Sequence, residues 1–145
     1  YVLRYAKSLL KYDEMPLLPG LGAGTFGSLV ALHVGWNLKC LFLLDGDKQG
    51  LDEKSRYETE FGITAERILT ISDLSPNLKV IEDLFDTEAL EIMKKELGLT
   101  GKIKKGQILR FCQERLASDN VIHLGGGFNK GAKHALEKLQ QRLEQ

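Results

Sequence analysis

Apolar positions in the first half of the chain switch between helical spacing and short continuous runs. Helical spacing is found at residues 1–12, 25–36 and 51–61. Apolar runs that fit strands lie at residues 15–19, 39–44 and 67–71. Pro16 and Pro19 weaken the first run as a strand, although Pro16 is acceptable at a strand's first position or on a sheet edge. Helices that alternate with strands in this way predict an α/β fold with a mostly parallel sheet flanked by helices.

Helical spacing alone marks the second half of the chain. We expect a helix that starts near residue 80 or 82, and further helices at 87–97, 104–117 and 129–144. Glycines separate these segments, as is usual at helix ends. The sequence therefore predicts an α/β core at residues 1–86, followed by a helical C-terminal extension, residues 87–145, packed on that core.

Composition narrows the classes of function. The 145 residues carry 20 Lys and Arg against 20 Asp and Glu, so the formal net charge is zero. A generic nucleic-acid binder has a marked Lys/Arg excess, which this chain lacks. Contact with nucleic acid would then require a local basic face or a bound metal. Cys40 and Cys112 fit buried, reduced thiols and no zinc pattern. With no apolar run of about 18 residues, we expect a cytoplasmic protein without a membrane span.

An acidic turn, Asp45-Gly46-Asp47, follows the clearest strand directly. Side chains two residues apart can point the same way, so both carboxylates can converge on one spot. Carboxylates so close together repel each other unless a proton or cation intervenes. Mg²⁺ is commonly held by one or two carboxylates and several waters. We expect Asp45 and Asp47 to bind a divalent metal, and replacement of Asp47 by Ala to stabilise the metal-free fold slightly by relieving repulsion.

A glycine-rich segment, Gly22-Ala-Gly24-Thr-Phe-Gly27, precedes the second helix. Its spacing is that of the dinucleotide-binding fingerprint, with acidic residues about 20 positions on. A nucleotide- or dinucleotide-binding module of Rossmann-like wiring is therefore an alternative interpretation. The purely structural interpretation of these glycines is a tight turn that lets a helix pack closely.

Three segments together resemble a Toprim domain, the unit found in type IA topoisomerases, bacterial primases and nucleases of the "overcoming lysogenization defect" family. Residues 19–24, which contain Gly20, Gly22 and Gly24, look like the glycine turn of that domain, and residues 43–50 look like its Asp-x-Asp motif. Residues 80–86 are similar to a stretch of the nuclease branch. The resemblance implies a Toprim-like core with Rossmann-like wiring.

In the nuclease branch this unit cleaves phosphodiester bonds with Mg²⁺ or Mn²⁺. The resemblance implies Asp45, Asp47 and Glu82 as metal ligands and catalytic residues, with the three turn glycines near phosphate. It offers Lys130, or less directly Lys133, as the lysine that serves the site. The implied partners are nucleic acid, in the first place DNA, and an ATPase domain N-terminal to this chain; a homo-oligomer is left open.

The glutamate motif of the family has no counterpart in the sequence. The chain starts at Tyr1, inside a helical pattern, so we expect a fragment of an ATP-dependent endonuclease that is inactive by itself. A non-catalytic scaffold is the third interpretation, and it predicts a contact surface on the C-terminal helices. Nuclease, primase-like and topoisomerase-like uses of the fold are not separated by these residues.

Overall fold

The computed structural model describes residues 1–12, 15–18 and 23–145, with residues 23–26 described by their backbone alone. Seven α-helices and two strands lie in the described part of the chain. In chain order they are α1 (Val2–Leu9), α2 (Ala23–Gly35), β1 (Phe42–Leu44), α3 (Lys48–Phe61), β2 (Ile68–Thr70), α4 (Ile71–Leu74), α5 (Thr87–Glu96), α6 (Lys105–Ala117) and α7 (Gly126–Glu144). Short 3₁₀ turns at Ala65–Arg67 and Ile81–Leu84 complete the set.

Two compact units divide the chain. The helical unit comprises residues 1–17 and 82–137, and the sheet unit comprises residues 18–81 and 138–145. The long helix α7 therefore begins in the helical unit and ends in the sheet unit. Helix α1 was expected in the α/β core, but it belongs to the helical unit and packs against α6.

The sheet unit contains two parallel strands joined by α3. Phe42 pairs with Ile68 and Leu44 with Thr70, and α3 contacts both strands. Its core is built from apolar side chains of both strands and of the helices around them, namely Val30, Phe42, Tyr57, Ile63 and Ile68. A crossover helix between parallel strands is the unit from which α/β folds are built, so the predicted α/β class is confirmed at this level.

Local chemistry explains both ends of α3. Asp47 caps its N-terminus by accepting a hydrogen bond from the Gly50 amide. Gly62 ends it in the left-handed conformation, with φ of 64°, which glycine adopts without the steric cost that a Cβ would add. The end at Gly62 follows the sequence closely, whereas the helix starts three residues before the predicted 51.

Aromatic side chains hold the helical unit together. The fully buried Tyr5 of α1 contacts Phe111 of α6 and Phe128 of α7. Its hydroxyl donates to the Ile122 carbonyl at 2.7 Å, and the Ile122 amide donates to that hydroxyl at 3.1 Å. Phe85 stacks on Phe128 with ring centroids 4.8 Å apart. The predicted helical character of residues 87–145 is confirmed by α5, α6 and α7.

Three predictions about elements differ from the structure. Residues 15–18 are not a strand, because two prolines within five residues remove the amide donors that a ladder needs; Pro19 lies outside the described residues. The described sheet therefore has two strands, and the larger Rossmann-like sheet is not seen. The strand expected at 39–44 is limited to its last three residues, and the helix expected near residue 80 is a 3₁₀ turn.

None of the helices in the described part of the chain combines the length and the apolar character that crossing a bilayer requires.

Candidate metal site

The acidic turn lies where the sequence predicts it, at the carboxyl end of β1 and the amino end of α3. Asp45 is the first residue after the strand and is half-buried, whereas Asp47 precedes the helix and is exposed. The turn therefore brings both carboxylates to the edge of the sheet at which parallel α/β proteins bind ligands. These two are the candidate residues that the structure places in one turn.

Asp47 is also a structural residue. Its Oδ1 accepts a hydrogen bond from the Gly50 amide at 2.9 Å, which satisfies one of the donors left open at the start of α3. Its backbone is extended, with φ of −82° and ψ of 177°, as is usual for the N-cap position. The negative charge also faces the positive end of the helix dipole.

Asp45 and Gly46 hold a more distant segment against the turn. The Ile81 amide donates to Asp45 Oδ1 at 3.2 Å, and the Gly46 amide donates to the Lys79 carbonyl at 2.6 Å. The Ser72 hydroxyl donates to the Leu78 carbonyl at 2.7 Å, which holds the same segment beside α4. Residues 78–81, which we call the crossing segment, are thus hydrogen-bonded to residues that follow both strands. No pattern in the sequence predicts this contact.

Gly46 in the turn and Gly50 in the first turn of α3 are both needed for space. A Cβ at Gly50 would overlap the carbonyl oxygen of Asp45, which is backbone and cannot move aside cheaply. A Cβ at Gly46 would overlap the Ser72 hydroxyl and would lie 3.2 Å from the Lys79 carbonyl oxygen. The turn therefore closes more tightly than any side chain at these two positions permits.

Asp73 lies at the carboxyl end of β2, inside the short helix α4. Burial opposes its ionisation, but two hydrogen bonds from Thr70, together with the charges of Lys54 and Arg142, outweigh burial and lower the pKa of Asp73. The Thr70 amide and hydroxyl donate to Asp73 Oδ2 at 2.7 and 2.9 Å. The Asp73 amide donates in turn to the Thr70 side chain, which completes a capping box. Asp73 thus has a capping role in α4.

Glu82 and Lys130 belong to the helical unit, whereas Asp45 and Asp47 belong to the sheet unit. The Glu82 side chain is only 9 % exposed and pairs through Oε1 with Lys105 Nζ at 3.2 Å. Its Oε2 is buried without a hydrogen-bond partner among the described residues. Lys130 is exposed near the start of α7. Their roles in a metal site remain predictions from the resemblance.

No group of three or more His, Cys, Asp or Glu side chains in the described ranges is arranged to hold a metal ion. A metal at the acidic turn would thus have two protein carboxylates, supplemented by water or substrate. Such a set is too small for a structural zinc or calcium site, but it is typical of Mg²⁺ at phosphate-binding sites.

The glycines at residues 22–27 lack the strand and loop that a dinucleotide-binding fingerprint requires among the described residues. Gly24 lies in the first turn of α2 rather than in a loop before the helix, and the described residues before it form no strand. A dinucleotide fingerprint needs a strand that leads into the turn. Gly20 and Gly22 lie outside the described residues, so their proximity to phosphate stays a prediction.

The large exposed apolar side chains of the described residues are concentrated at the end of α2. Leu32, Val34 and Leu38 are each 43 % exposed, and Trp36 is 66 % exposed. The interpretation of the chain as a non-catalytic scaffold predicts a contact surface on the C-terminal helices, which is a different part of the chain. Both cysteines are free: Cys112 is buried as expected, whereas Cys40 is half-buried.

Comparisons of this chain with models of protein families, with curated proteins and with solved structures found no match.

Proposed function

We propose that this chain is a Toprim-type domain that takes part in metal-dependent cleavage of nucleic-acid phosphodiester bonds, with Asp45 and Asp47 as its metal ligands. One observation carries the proposal: two carboxylates, two residues apart, leave the carboxyl end of a parallel strand in a turn fixed by close backbone contacts. This end of a parallel sheet is where α/β proteins gather ligands.

The donor set fits Mg²⁺ or Mn²⁺. Carboxylate oxygens are hard ligands, and Mg²⁺ usually takes one or two of them and completes its shell with water and phosphate oxygens. Each carboxylate of the turn is oriented at Oδ1 by a backbone amide, that of Ile81 for Asp45 and that of Gly50 for Asp47. Outer hydrogen bonds of this kind are typical of carboxylates that bind metals.

The residues in and beside the turn have different roles in this proposal. When bound, Mg²⁺ supplies positive charge that neutralises a phosphodiester oxygen and lowers the pKa of an attacking water. Half-buried Asp45 and exposed Asp47 would together hold the ion. The N-terminus of α3 adds partial positive charge beside the same turn, which favours a phosphate there. Exposed Lys48 is available to pair with the phosphate.

Metal binding is the decisive first measurement, because the family's glutamate has no counterpart among these 145 residues. Thermal denaturation would be followed with and without Mg²⁺ or Mn²⁺ for the parent chain and for Asp47→Asn. The amide oxygen of Asn keeps the cap on α3 but removes the charge. Binding to the folded state adds about 2.7 kcal/mol to stability at a metal concentration of 100 times Kd.

Asp86→Asn is the matched control. Asp86 caps α5 in the same way, by accepting from the Ala89 amide at 2.9 Å, and belongs to the helical unit. We expect the metal to raise the melting temperature of the parent and of Asp86→Asn, and not that of Asp47→Asn. An equal rise in all three proteins, or no rise in the parent, would rule out the acidic turn as the metal site.

A further inference from the structure

A second candidate site lies at the opposite end of the sheet, where the strands begin. A cavity of about 690 Å³ is present there, within the range usual for small-molecule sites. All the residues that line it belong to the sheet unit. Its apolar side chains come from α2, from the segment between α2 and β1, from the first residue of β1 and from the segment after α3, and include Val34, Leu38, Leu41, Phe42 and Ile63.

Three cationic side chains line the same cavity. Lys39 precedes β1, Arg67 precedes β2, and Arg142 lies near the end of α7. Within the described residues none of the three forms a salt bridge. Glu66 is the one acidic residue in the lining, so the three positive charges and one negative charge leave a formal excess of two positive charges.

Arg142 lies in the last turn of α7, but the ends of α2 and α3 do not account for the other cationic side chains. The last carbonyls of a helix carry partial negative charge, which a nearby cation can compensate. At the end of α2, however, three of these carbonyls already accept hydrogen bonds from the backbone amides of Trp36, Asn37 and Leu38. At the end of α3, the amides of Gly62 and Ile63 donate to the Tyr57 carbonyl. Both helices are thus capped by their own backbone.

We propose that this cavity binds a small amphipathic anion, a molecule with an apolar or aromatic body that carries a phosphate or carboxylate group. The body would lie against Leu38, Leu41 and Ile63, and the anionic group would pair with Arg67 and Arg142. Guanidinium groups bind both kinds of anion through paired hydrogen bonds. A nucleoside monophosphate and a fatty acid share this chemistry. The proposal is independent of the metal site.

Cys40 provides a local readout because it lines the cavity and is half-buried, whereas the other cysteine, Cys112, is fully buried. In the folded chain an uncharged disulfide reagent such as dithiodipyridine should modify Cys40 and leave Cys112 unmodified. A ligand in the cavity slows this reaction. At a ligand concentration of about ten times Kd, the rate should fall about tenfold by mass action. Modification of the second thiol reports loss of the fold.

The probes are adenosine monophosphate and laurate, each beside its uncharged counterpart, adenosine and dodecanol. Protection by the phosphate compound alone identifies a phosphate ligand, and protection by laurate alone identifies a fatty acid; either result supports the proposal. If neither anion slows the modification of Cys40, or if the uncharged compounds protect equally well, the proposal is wrong.

Charge-removing variants locate the anionic group. Arg67→Gln and Arg142→Gln should each abolish most of the protection, whereas Arg4→Gln, at an exposed position of the helical unit, should leave it unchanged. Each protection ratio uses the variant's own rate without ligand, because Arg67 also influences the Cys40 thiol. If Arg4→Gln loses protection equally, the protection depends on the net charge of the chain and not on Arg67 and Arg142, and the assigned site is wrong.

Discussion

At the scale of single residues, Gly46 of the acidic turn and Gly50 at the start of α3 show what a sequence can and cannot reveal. Both residues closely follow the apolar run 39–44, where glycine is typical of a tight turn. Neither glycine has a positive φ, whereas Gly62, Gly98 and Gly125 do. The requirement at residues 46 and 50 is space, set by atoms of Asp45, Ser72 and Lys79. A local pattern indicates that a glycine is needed, but only the tertiary contacts give the reason.

Gly50→Ala should lower the free energy of unfolding by about 1–3 kcal/mol, since its Cβ meets backbone that cannot move aside. Gly106→Ala is the matched control, because Gly106 lies in α6 with no atom near the added Cβ. There the methyl group should stabilise by about 0.5–1 kcal/mol. Urea denaturation measures both values, and equal effects at the two positions would contradict the close contact at Gly50.

At the scale of elements, the cap of α3 reverses an expectation based on charge alone. Carboxylate repulsion in the turn predicts that Asp47→Ala stabilises the metal-free chain. The structure adds a larger opposing effect, because Asp47 Oδ1 accepts the hydrogen bond of the Gly50 amide at the start of a 14-residue helix. Loss of such a cap costs about 1 kcal/mol, whereas repulsion between side chains that are partly exposed is weakened by water and salt.

Asp47→Ala should therefore lower the free energy of unfolding by about 1 kcal/mol without metal, while Asp47→Asn should change it by only a few tenths. Urea denaturation in the presence of a chelator measures both variants, and Asp86→Ala at the cap of α5 shows the size of a cap effect away from the acidic turn. If Asp47→Ala is more stable than the parent, repulsion dominates and the capping argument is wrong.

Elements with a strong local signal were predictable, and those that depend on partners were not. Helices α3, α5, α6 and α7 follow their apolar spacing, and their ends carry recognisable residues such as Gly62. Residues 15–18 form no strand, because an apolar run makes a strand only when backbone partners are available and proline removes donors. The acidic turn was found from its position after an apolar run, whereas the crossing segment, which contacts it from about 35 residues away, has no local signature.

At the scale of the whole molecule, each unit buries groups that ionise only at alkaline pH. Burial raises the pKa of Cys112 and of Tyr5 in the helical unit to about 12. In the sheet unit, burial and the nearby Glu53 carboxylate raise the pKa of Tyr57 to about 12. The corresponding values in an unfolded chain are 9.0 for Cys and 10.0 for Tyr. The protonated forms of all three groups are therefore favoured by folding.

The stability from these groups is fully present below pH 9 and is lost as the pH rises towards 12. Above pH 9 the unfolded chain releases the Cys112 proton while the folded chain retains it, which favours unfolding. Each pH unit between the two pKa values costs on the order of 1.4 kcal/mol per group. We expect the loss to begin near pH 9 through Cys112 and to steepen above pH 10, where Tyr5 and Tyr57 contribute in their separate units.

Cys112→Ala separates the thiol from the tyrosines. The variant starts less stable, because it leaves space in the core, but its stability should be nearly flat between pH 8 and pH 10, where that of the parent chain falls. Urea midpoints at pH 8, 9, 10 and 11 under reducing conditions measure the slopes, and Cys40→Ala controls for the half-buried thiol. Parallel slopes for the parent and Cys112→Ala would mean that Cys112 ionises equally easily in the folded and unfolded chain, and so that the core around it admits water.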